Sequence, residues 1–244
     1  MELYDSLIRQ AMTLGGAGAV KRYAYDPARA WPDTGEFELV MQREAACELG
    51  GGGRNAANFT CVTTTPGLVD ADEVLVYGPD IKDLKGDADY ARITLLEVDG
   101  AALEQGDDTE QCFRAVQELD FVKYRVFPRG YMIRTSSESS REQVRVSRSA
   151  VKDGVSFERV GANFIRHYHL DPKVKHVRMI FLTAPGADNA QAARCAKAVK
   201  DITMSLTKIM EGMPTDCGSC QLKPICDEVE GLKELHFGKK GKRQ

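Results

Sequence analysis

The chain has 244 residues, 43% hydrophobic and 28% charged, with a formal net charge of −3. That length carries one large domain or two small ones and buries a substantial core. The acidic balance argues against nucleic acid as the main partner, because a duplex binder carries a basic excess. No apolar run approaches the ~20 residues that span a bilayer.

In chain order, the opening "MELYDSLIRQAMTLGGAGAV" mixes a short amphipathic stretch with small residues and reads as a peripheral N-terminal arm over 1–30. It is acidic at once and lacks an uninterrupted apolar core, so it makes a poor signal peptide and points to the cytoplasm. "FELVMQ" (Phe37 to Gln42) is apolar enough for a strand, and Gly50 to Gly53 mark a flexible connection. Those glycines lack the Lys-Ser/Thr pair of a phosphate loop. Val74 to Tyr77 form a strand stopped by Gly78-Pro79-Asp80, and "ARITLLEVDG" is a second branched, apolar run. Phe113, Val116 and Leu119 keep helical spacing between Glu110 and Lys123, and "YMIRTS" and "EQVRVSR" alternate as extended segments.

Ser156 caps a helix carrying Phe157, Val160, Phe164 and Tyr168 on one face. His167 and His169 lie two apart at its end, point to different faces and suit helix-end cations rather than a shared metal. "HVRMIFLTA" is a near-continuous apolar run, the pattern of a strand buried on both faces. A long helix follows from Asn189 to Gly212, with Cys195, Val199, Ile202, Leu206 and Ile209 stepping by four and three. The fold class expected is α/β or α+β: a mixed sheet flanked by helices over 31–188, then a long helix and a small cysteine-rich C-terminal segment over 189–244.

Seven cysteines are unevenly placed. Cys47, Cys61, Cys112 and Cys195 are scattered and read as small buried hydrophobes. Cys217, Cys220 and Cys226 cluster in "DCGSCQLKPIC", where CxxC spacing brings two thiolates to one metal. His236 is the strongest downstream candidate for a fourth ligand. The donor chemistry leaves zinc and a [4Fe–4S] cluster both open. Between Arg125 and Arg148 stand Arg125, Arg129, Arg134, Arg141, Arg145 and Arg148, whose guanidinium forks suit phosphates. With Glu138 and Glu142 among them, a solvated charged face is the alternative. The terminal "GKKGKRQ" is a basic tail.

The order of "FELV", "EVLVYGPDIKDL", "VRVSRSAVKDGVSFERVGANFIRHY", "HVRMIFLT" and a long helix leading to CxxC resembles the acetyl-CoA synthase family, the β subunit of acetyl-CoA decarbonylase/synthase. The likeness runs from about residue 36 to 238 and covers the family's middle domain and the start of its cluster domain. It implies that Cys217, Cys220 and Cys226 match the first three cubane cysteines, with His236 where the family has its fourth. No Cys-Gly-Cys chelate for a distal nickel follows Cys226. The resemblance therefore implies a compact iron–sulfur protein of anaerobic one-carbon or acyl-CoA metabolism, a subunit or accessory of a carbon monoxide dehydrogenase complex. It also associates the arginines with coenzyme A. Two alternatives stand beside it: an assembly module with a structural Cys3His zinc site, and a coenzyme A binder whose metal only fixes the C-terminus.

Overall fold

The computed structural model describes residues 2–16, 19–103, 109–136 and 139–210. Among the described residues, eight strands form two sheets. The larger is built from β1 (Val20–Ala24), β3 (Ala56–Thr63), β4 (Glu73–Tyr77), β5 (Tyr90–Val98) and β8 (Val174–Leu182), in the order β1-β4-β8-β5-β3. The smaller holds β2 (Ala45–Leu49), β7 (Arg141–Ser147) and β6 (Tyr131–Ser136) in that order, all antiparallel. The larger sheet is mixed: β3 runs parallel to β5 and β4 parallel to β8, while β5 and β8 are antiparallel.

Helices flank that sheet. α1 (Asp5–Ala11) and α6 (Asn189–Met210) pack on β3, and α5 (Phe157–Tyr168) packs on β4 and β8. Three further helices are α2 (Gly100–Leu103), α3 (Thr109–Phe121), which leans on α6, and α4 (Arg148–Lys152), which follows β7. The mixed sheet, flanking helices and long helix α6 are as the sequence predicts.

Local causes are visible element by element. The Ser156 side chain accepts from Arg159 N–H at 3.3 Å, the N-cap expected of α5. Every residue of β5 is buried, and so is all of β8 from Val177 onward, which matches their continuous apolar character. Gly78 has φ +109, and any Cβ there would meet the Ala184 backbone; only glycine lets Tyr77 O accept from both Thr183 and Ala184 N–H at 2.9 Å. In α6, Val199, Ile202 and Leu206 are buried as the four-and-three spacing requires. Each contributes about 1.5–3 kcal/mol by burial, so packing rather than intrinsic propensity holds the helix.

Two segments differ from the sequence reading. The first residues are not peripheral: Leu3, Tyr4, Leu7 and Ile8 are core, and buried Asp5 accepts from Thr63 Oγ1 at 2.7 Å and Thr65 Oγ1 at 2.6 Å. Residues 37–41 form no strand; Phe37, Leu39 and Met41 face solvent while Val40 is buried, its N–H directed at Met132 Sδ. Among the described residues no helix is long and apolar enough to cross a membrane.

Candidate functional site

The polar centre of the fold lies where β7 of the small sheet meets β3 and β5. Glu142 is fully buried, because it alternates with Val144 and Val146 on the inward face of β7. Arg92, also fully buried, projects from β5 and grips it with two bonds, Nε to Oε1 at 2.8 Å and Nη2 to Oε2 at 2.5 Å. Asn58 Nδ2 (3.0 Å), Tyr90 OH (3.2 Å) and Thr135 Oγ1 (3.2 Å) donate to the same carboxylate. The Arg92 guanidinium lies 4.1 Å from the centre of the Phe164 ring on α5. Burial alone would lower the Arg92 pKa, but the charge and hydrogen bonds of Glu142 outweigh it and raise it. Burial likewise raises the Tyr90 and Tyr131 pKa values, so their hydroxyls, 3.0 Å apart, stay protonated. The raised pKa values keep the Arg92 guanidinium charged and both hydroxyls protonated.

Above this cluster is a cleft of about 700 Å³ between α3, α6, β3 and β6. Its polar lining includes Asn58, Gln117, Asp120, Lys123, Thr135 and Thr207, and Phe121, Tyr124 and Met204 give it an apolar rim. Lys123 Nζ pairs with Asp120 Oδ1 at 2.7 Å, and Gln117 donates to Thr207 Oγ1 at 2.9 Å, tying α3 to α6. Asn58 is 3% exposed, and its Oδ1 has no hydrogen-bond partner among the described residues. A smaller recess of about 150 Å³ shares Lys123, Tyr124 and Thr135 and continues to Phe37.

The six sequence-predicted arginines do not form one cluster. Strand alternation puts Arg134 of β6 and Arg141 and Arg145 of β7 on the outer face of the small sheet. Arg145 pairs with Glu48, and Arg141 donates to the Arg54 carbonyl at 2.8 Å. Arg148 donates to the Arg43 carbonyl at 2.5 Å. Arg129 stands elsewhere, paired with Asp153 at 2.9 Å and stacked with Arg159 around buried Trp31. Arg125 follows the turn after α3. Glu142, read from sequence as part of a solvated charged face, is instead fully buried.

Cys217, Cys220, Cys226 and His236 lie outside the described residues, as does Glu138. Among the described residues, no three Cys, His, Asp or Glu side chains are grouped to hold a metal ion. Cys47, Cys61 and Cys195 are buried free thiols, as their scatter suggests; the Cys112 side chain is outside the described residues. His167 and His169 face separate carboxylates, Asp33 at 3.7 Å and Asp72 at 3.0 Å. Sequence reasoning missed Arg92 and Glu142. The available signal was a charge at a core-facing position of each strand, Arg92 in "YARITLLEV" and Glu142 two before Val144.

The family described as CO dehydrogenase/acetyl-CoA synthase complex beta subunit matches residues 33–187. No curated protein matches the chain. The matched stretch includes β3, α3 and β6 of the cleft and stops two residues before α6.

Proposed function

The chain belongs to the CO dehydrogenase/acetyl-CoA synthase complex beta subunit family, and on that premise we propose an acetyl-CoA-synthase-like iron–sulfur subunit that works with a protein partner in one-carbon or acyl-CoA metabolism. Cys217, Cys220 and Cys226 are its proposed [4Fe–4S] ligands, with His236 in the fourth place. One observation carries the reading: the family match ends at Ala187, α6 follows at Asn189, and the CxxC comes seven residues after α6 ends. Three thiolates and an imidazole are a donor set that suits a cubane cluster. Such a group would supply electron transfer, or an open iron position for substrate where His236 is not a ligand.

Anaerobic reconstitution with ferrous iron and sulfide tests this. A brown protein with the iron and sulfide content of a cubane is expected, and the colour is lost on changing Cys217 or Cys220 to alanine. A colourless protein holding zinc through the same residues overturns it and favours an assembly module with a structural Cys3His site. If His236→Ala leaves the spectrum and metal content unchanged, the fourth ligand is another group.

A second reading, coenzyme A binding, is favoured by the shared outer face of Arg134, Arg141 and Arg145. Guanidinium forks on one surface match a ligand with several phosphates. Calorimetry with coenzyme A decides: binding that weakens in Arg145→Ala supports it, and absence of heat with the unaltered protein ends it.

A further inference from the structure

We propose that the α3–α6 cleft is the docking site of this chain's own residues 211–238, which continue from α6. Its apolar rim is one argument. Nine large hydrophobic side chains are exposed among the described residues, and three of them, Phe121, Tyr124 and Met204, line this cleft. The Phe121 and Tyr124 rings lie 5.7 Å apart, so their exposed area is contiguous. A contiguous exposed apolar patch rimmed by polar groups marks an interaction surface.

Connectivity names the occupant. α6 itself forms one wall, and Thr207 in that wall stands one turn before the last helical residue, Met210. The chain therefore leaves α6 beside the cleft, and a segment of nearly thirty residues has ample reach to fold back across it. Tethering also makes docking intramolecular, at an effective concentration in the millimolar range. A separate partner must give up its translational freedom; the attached segment already has.

The segment's composition matches. It offers Val229, Leu232, Leu235 and Phe237, spaced by two and three residues. Residues 211–238 also carry six carboxylates against two lysines. Docking would hold the cysteine trio against the family-derived body of the protein, whatever those cysteines bind.

Photo-cross-linking of the full chain tests the proposal. A benzophenone amino acid is placed at Phe121 or, separately, at Met204, both surface positions, with Leu170 as control because it is 77% exposed on the loop after α5. Irradiation is expected to join each cleft position to peptides from 211–238 within a monomer, and Leu170 to none of them. Leu235→Asp combined with Phe237→Asp is expected to cut that yield roughly tenfold, the effect of two lost apolar contacts. Cross-links to a second copy, no tail peptide from either cleft position, equal capture from Leu170, or a yield unmoved by the double change each overturn it.

Discussion

Changing Glu142 to glutamine removes one charge from a heavily bonded buried side chain and alters little else. Glu142 accepts five hydrogen bonds, two from Arg92 and one each from Asn58, Tyr90 and Thr135. The amide keeps one acceptor oxygen and turns an NH2 toward groups that are themselves donors. Arg92 then remains buried with its charge uncompensated, since neither side chain touches solvent. Breaking a buried pair from one side costs about 3–5 kcal/mol, a large part of the ~5–15 kcal/mol that holds a typical domain.

The same reasoning makes the double change Arg92→Met with Glu142→Leu milder than the single one, because no charge is stranded. Asn58 Nδ2 keeps the Arg92 carbonyl at 3.4 Å and Tyr90 keeps the Tyr131 hydroxyl at 3.0 Å, so neither is left without a partner. Urea unfolding followed through Trp31, the one tryptophan and a buried one, reads all three proteins. A loss below about 1 kcal/mol for Glu142→Gln, or a double variant less stable than Glu142→Gln, would falsify the account.

The remaining predictions concern packing, thiols and alkali. Gly161 in α5 faces Val74, and an added Cβ would come within 2.6 Å of Val74 Cγ2. Gly161→Ala gains about 1 kcal/mol of helix propensity but overpacks at about 1–3 kcal/mol, so a lowered Tm is expected and a raised one contradicts the contact. Burial pushes the Cys47 thiol up to about 11 and raises those of Cys61 and Cys195. All three should resist alkylation near neutral pH in the folded protein and react once it is unfolded in urea; rapid native labelling at any of them shows that its burial is misassigned. Because the Cys47 pKa is raised on folding, its contribution is whole below the thiol's ordinary 9.0 and fades as pH climbs to about 11. Stability measured across that window should decline with pH, and decline less in Cys47→Ala.

Legibility in the sequence followed locality. β8 and α6 are announced by their own residues, an unbroken apolar run and a four-and-three seam, because β8 is buried through most of its length and α6 along one face. β1 was missed for the opposite reason: "VKRYA" is an edge strand with four of its five residues exposed, so nothing in it alternates. α1 is seven residues long, and what anchors it is Asp5 gripping Thr63 and Thr65, a pairing nearly sixty residues away. The site behaves the same way. Of six arginines close in sequence, strand alternation put only Arg134, Arg141 and Arg145 on one face, whereas Arg92 and Glu142, fifty residues apart, came together. The cleft draws lining from residue 58 to residue 207, and no window of sequence contains it.

The way α1, β1 and α6 close the larger sheet bears on how this protein can be cut. All three lie outside the family segment, residues 33–187. Excising that segment would strip the outer edge of β4, which β1 now occupies from Val20 to Ala24. It would also bare the side of β3 that Ile8, Cys195, Val199 and Ile202 help to bury. A naked edge beside an open apolar face is the geometry of aggregation. The stretch by which kinship is recognised is thus smaller than the stretch that must be expressed together, and a soluble fragment should begin before Leu3 and run through Leu206.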